Sequence, residues 1–290
     1  MRILRFVPAL VLALFGVVVG AGPSGAAVPN DGSPPYVCSG GGVLAPGTYR
    51  SVLVTGFCFA PTGPITIEGN LTLAPNSGFD DATGAPTFEG CPAEIDIRGN
   101  VFVGNGSILG LGSGQTLGCP TFSGQVGGSV IGLATLGVII HGETIGGSVT
   151  IAGGGGGVNC NMPSLFSQDP ALAGTPAFSD LEDSTVGGDF TVWGLHSCWY
   201  GALRDQIGGS SYIIGNIMAD PDAAEVSDNV IYGNFICLAN NPTIQYGDNA
   251  AGLTGPPNEV GGLALGQCGF GVLSPDPDGG PLEPISVPLS

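Results

Sequence analysis

The side chains that could do chemistry are few and far apart. His141 closes the apolar run Val138-Ile139-Ile140 and precedes Gly142-Glu143. His196 lies in Trp193-Gly194-Leu195-His196-Ser197-Cys198-Trp199-Tyr200, which holds both tryptophans of the chain. Trp193, His196, Trp199 and Tyr200 are candidate glycan-binding residues, because a run of aromatic rings on a loop can form a sugar-stacking platform. The competing reading is a disulfide-stapled loop packed over a scaffold, and for His141 a hydrogen-bonded turn residue. The carboxylate pairs Asp80/Asp81, Asp220/Asp222 and Asp276/Asp278 could attract Ca²⁺, but none follows the spacing of a Ca²⁺ loop. There is no Gly-x-Ser-x-Gly elbow, phosphate loop or His-Glu-x-x-His helix. No catalytic residue and no metal site are therefore assigned, and Ca²⁺ is the one cofactor left open.

The cysteines carry a clearer message. Cys38, Cys58, Cys91, Cys119, Cys160, Cys198, Cys237 and Cys268 are even in number, and no Cys-x-x-Cys suggests zinc. Ahead of them Arg2 and Arg5 introduce an apolar stretch over 6–19 and the small residues Ser24-Gly25-Ala26-Ala27. That reads as a signal peptide over 1–27, too short for a bilayer span of ~20 residues. An exported chain with paired cysteines is expected to be secreted, extracellular or at the cell surface, and stapled by disulfides. No membrane insertion is expected after cleavage.

Charge excludes several partners. The formal net charge is −18, with 23 acidic residues against five basic ones, all arginine. Nucleic acid and anionic membranes are disfavoured at that charge. Glycans and self-association remain as partner classes.

The element that must position these residues is a repeat. An aliphatic residue, a Gly pair or its equivalent, a small polar residue and an apolar-x-apolar strand recur along the chain. The units begin at Ile67, Ile97, Val126, Ile145, Val186, Ile207 and Val226, with a degenerate copy at Val260. Several intervals lie near 20 residues, so we expect an all-β solenoid of ~20-residue coils with long loop insertions. The expected loops are 74–92, 112–124, 152–183, 196–205 and 238–258. The small residues Asn70, Asn100, Ser129, Ser148, Asp189, Ser210 and Asn229 are expected to form a ladder at one corner, with the Gly pairs supplying positive φ. Stacked coils lie ~4.8 Å apart, within disulfide reach. Sequential pairing follows: Cys38–Cys58, Cys91–Cys119, Cys160–Cys198 and Cys237–Cys268. A single β-helix domain is expected over 28–273 and a disordered Pro-rich tail over 274–290. Antiparallel sandwiches are disfavoured because Asn-Gly and Asp-Gly hairpin turns are scarce.

The segment Cys38 to Cys58, with Leu44-Ala45-Pro46-Gly47-Thr48-Tyr49, and the Gly-rich strand units from Ile65 to Phe235 resemble secreted bacterial right-handed parallel β-helix proteins. The resemblance implies the fold and says little about activity. Bactofilins also use Gly-rich β-helical coils and polymerise end to end, but this chain departs from them in its export signal, cysteines and long loops. Many β-helices act on polysaccharides. Pectate-lyase-like chemistry would need a basic proton acceptor, and only Arg50, Arg98 and Arg204 are available. Their neighbours, Glu94 and Asp96 for Arg98 and Asp205 for Arg204, read as charge partners. Polygalacturonase-like hydrolysis would need several converging acids. Asp80-Asp81 and His141-Gly142 resemble fragments of that pattern, without its other motifs. The leading expectation is a non-catalytic structural or binding protein; the alternative is a polysaccharide-active enzyme or glycan-binding module.

Overall fold

The computed structural model describes residues 34–61, 63–81, 94–112, 124–170, 172–221, 223–246, 257–269 and 272–273. The expected signal segment, the Pro-rich tail and the expected Cys91–Cys119 pair lie outside them.

The chain is a parallel β-helix. Each of the first eight coils lays one short strand in each of three parallel sheets before climbing to the next, and the last two, among the described residues, lay strands in two of them. Sheet A has ten strands, from Tyr36–Cys38 to Ala264–Gly266. Sheet B has eight, from Gly42–Val43 to Ala224–Ser227, and sheet C ten, from Gly47–Tyr49 to Val272–Leu273. The strands form because every second residue is apolar and turns inward: Leu71–Leu73, Val101–Val103 and Ile65–Ile67 each bury their outer two residues and turn the middle one outward. Inward residues stack on their equivalents, as in Leu71, Val101, Val130, Val149 and Phe190, into one continuous core.

The corner between sheets C and A carries the expected ladder. Each small side chain accepts the backbone N–H of its counterpart in the next coil: Ser51 from Asn70, Asn70 from Asn100, Asn100 from Ser129, Ser129 from Ser148. It continues through Asp189 and Ser210 to Asn234, which receives Leu263 N–H. The rungs are separated by 19, 21 or 24 residues in plain coils and by 29 to 41 where loops intervene.

Three expectations are corrected. Asn229 is not a rung here; Ile231-Tyr232-Gly233-Asn234 is the true seventh phrase, and Asn229 belongs to the B–C corner. There it accepts Asp205 N–H, in a buried ladder running Glu143, Ser184, Asp205, Asn229, Asn258. Second, the phrase glycines do not serve positive φ. A Cβ on Gly147 would collide with Ser129 Oγ and stand 2.7 Å from Gly128 O, and Gly262 would crowd Asn234 Oδ1 in the same way. Glycine is there to make room for the rung of the coil before. Third, 196–205 is not a loop: His196–Ser197 and Trp199–Leu203 are strands. Phe178–Glu182, also assigned to a loop, is a strand of sheet B.

The inserted segment between Gly154 and Phe178 folds back over the outside of sheet B. Phe166 is fully buried there against Phe57 and Ile108, flanked by Leu136, Leu165 and Phe178. Three of the expected disulfides form, with Cα–Cα distances of 6.0 Å for Cys38–Cys58, 4.6 Å for Cys160–Cys198 and 5.1 Å for Cys237–Cys268. The second ties the insertion to the next coil.

Candidate functional site

The four candidate glycan residues land on different surfaces. Trp193 ends a sheet A strand and is 61% exposed. His196 is exposed just past the corner, paired with Ile217 of the next coil. Trp199 faces outward from sheet B, its indole over Gly201, where a Cβ would collide with the ring. It also packs edge-on to Phe178, with ring centroids 6.0 Å apart. Tyr200 points into the core and is 1% exposed. Burial pushes its phenol well above the usual range, helped by the negative charges of Asp205 and Asp180. The chain turns a corner with Gly194 at φ +64°, and strand alternation then sends Trp199 and Tyr200 to opposite faces.

Trp193 instead belongs to a surface that no short motif announced. Among the described residues, the ten strands of sheet A contain no charged residue. One outward row runs through Leu53, Thr72, Phe102, Ile131, Thr150, Thr191, Tyr212 and Ile236. Beside it a second runs Leu133, Ala152, Trp193, Ile214, Leu238. Leu133 and Leu238 are 57% and 46% exposed. Tyr212 pairs with Thr191 and Trp193 with Ile214, so the two rings lie diagonally across adjacent strands. The acids sit elsewhere: sheet B carries Asp80, Asp180, Glu182 and Glu225, and sheet C Asp96 and Glu259.

A second feature lies where sheet B turns toward sheet C. The left-handed residues of successive coils there are Gly112, Gly142, Asp183, Arg204 and Asp228, which stacks Arg204 beside Asp183. Arg204 donates to both Asp183 oxygens at 2.8 and 3.1 Å and to Glu182 Oε2 at 2.8 Å. Its expected partner, Asp205, turns inward and accepts Ser184 N–H instead. Arg98 does pair with Asp96, at 3.7 Å. His141 stands opposite Glu182 in register, with Nε2 3.1 Å from Asp180 Oδ2. Burial opposes protonation of His141, but the combined negative charge of Asp180, Glu182 and Asp183 outweighs it and raises its pKa. Glu182 is pushed up by burial and by Asp180, against the pull of His141 and Arg204. Three other acids stay out of this group: Asp80 lies in sheet B, Asp189 is a ladder rung and Asp205 is interior. Sequence distance hid the group that does assemble, since His141, Asp180 and Arg204 meet only through coil stacking.

Fold and surface together define a disulfide-stapled parallel β-helix with one uncharged face. No family model, curated protein or solved structure matches the chain.

Proposed function

We propose that this chain is an exported, non-catalytic binding protein that presents the outer face of sheet A to a neutral glycan outside the cell. The observation that carries the reading is a ten-strand face without charge on a chain of net charge −18. Sugar rings offer apolar faces and hydroxyls, which suit Trp193, Tyr212 and the threonines between them. A second copy fits this face less well, because two chains of that charge repel at long range. Three disulfides support an oxidising compartment. Among the described residues no helix is long and apolar enough to cross a membrane.

The test is depletion of the protein from solution by insoluble cellulose or chitin. Wild type and Trp199→Ala, altered on sheet B, are expected to bind alike, while Trp193→Ala and Tyr212→Ala are retained poorly. No depletion of wild type, or equal depletion of all four, would sink the proposal. The polysaccharide-active alternative has one observation in its favour, the gathering of His141, Asp180, Glu182 and Arg204. It requires release of new reducing ends, lost in Asp180→Asn.

A further inference from the structure

The cluster on sheet B has the makings of a metal site. His141 Nε2, an Asp180 oxygen and a Glu182 oxygen all lie within 4.8 Å of one another. Two ligands on one tetrahedral Zn²⁺ stand about 3.4 Å apart, given bonds of about 2.1 Å. The most separated pair therefore needs to close by no more than about 1.4 Å from the 4.8 Å limit, and His141 and Asp180 already stand at 3.1 Å. Two of the ligating groups lack other engagements. The side chain of Asp180 is 5% exposed, and its Oδ1 has no hydrogen-bond partner. Nε2 of His141 is buried and faces the Asp180 carboxylate at 3.1 Å without an aligned hydrogen bond. Leaving such groups dry and unpaired is costly unless something joins them.

Charge points the same way. With a neutral imidazole, Asp180, Glu182 and Asp183 stand against the single guanidinium of Arg204, so a dication would neutralise the group. Arg204 grips Glu182 through Oε2 and Asp183 through both oxygens. It thereby orients Glu182 and leaves that carboxylate's other oxygen for an ion. Because His141 and Glu182 are register partners on adjacent strands, the ligands sit on rigid elements. We infer that His141, Asp180 and Glu182 bind a divalent transition-metal ion of the Zn²⁺ type on the outer face of sheet B. One imidazole nitrogen and only two carboxylates favour such an ion over Ca²⁺, which prefers six or more oxygens. The site is separate from the sheet A face and does not depend on its glycan reading.

The experiment uses the full oxidised chain, freed of metal by chelation and titrated with Zn²⁺ in a calorimeter, with Co²⁺ as a coloured substitute. One Zn²⁺ per chain is expected, with a visible Co²⁺ band and no displacement by a large excess of Ca²⁺. His141→Gln and Asp180→Asn, checked for wild-type circular dichroism, should weaken binding at least about tenfold. In the wild-type chain itself, imidazole NMR signals of His141, assigned with His196→Ala, should shift with Zn²⁺ while those of His196 do not. The inference fails if the wild type takes up no Zn²⁺, if folded His141→Gln binds as well as wild type, if Ca²⁺ competes equally, or if His196 responds instead.

Discussion

The B–C corner buries two carboxylates from coils two apart with no basic partner among the contacts that shift them, and this makes stability fall as pH rises. Asp81 and Glu143 are 1% and 4% exposed. Asp81 Oδ1 accepts Gly112 N–H at 2.8 Å. Burial nevertheless pushes its carboxyl from 3.8 up to about 7, against that hydrogen bond. Glu143 is driven well above its ordinary value by burial first and by the charge of Asp81 second. The folded chain thus keeps protons that the unfolded chain has lost, and more protons on the native state mean that stability decreases with rising pH. For Asp81 the loss begins near pH 4 and is complete above about 7; Glu143 extends it upward. At about 1.4 kcal/mol per unit, the rise from 3.8 to about 7 makes ionised Asp81 cost on the order of 4 kcal/mol. Asp81→Asn keeps an oxygen for Gly112 N–H but cannot ionise. Urea unfolding from pH 4 to pH 8 should show variant and wild type close together at the acid end. They should diverge to a variant advantage of a few kcal/mol at the alkaline end. Parallel curves across that range would refute the argument.

Two further outcomes follow from the packing. Gly147→Ala places a methyl against Ser129 Oγ and the Gly128 carbonyl, and should cost roughly 1–3 kcal/mol as overpacking; Ser129→Gly should rescue only part of the loss in melting temperature, because the carbonyl remains. The double change Cys160→Ser/Cys198→Ser opens a loop of 38 residues, worth about 4 kcal/mol in chain entropy. Limited proteolysis should then cut the insertion around Phe166 before any coil, and uniform cutting would count against a locally docked insertion.

Much of the scaffold is legible in the chain because its determinants are local or nearly so. A ladder rung must be small and polar, the residue before it must lack a Cβ, and the strand after it must alternate; Gly147-Ser148-Val149-Thr150-Ile151 meets all three. Val226-Ser227-Asp228-Asn229 misled because both corners end in a small polar residue followed by a short strand. Only stacking tells which ladder Asn229 joins. Trp193 to Tyr200 read as one aromatic loop because its residues are neighbours in sequence. Strand alternation and the corner at Gly194 separate them in space.

The sequence by itself determined the kind of coil and the C–A ladder from Asn70 to Ser210, since both follow from a repeat that the chain spells out; for the cysteines the repeat only favours sequential pairing among many, and three such bridges form. Only the tertiary structure decided what shares a face. Whether Thr72, Thr150 and Tyr212 line one uncharged row, or His141 comes to stand opposite Glu182 across an insertion, depends on stacking register. Register is a non-local quantity, set by how whole coils bury their inward residues on one another, and no local pattern encodes it.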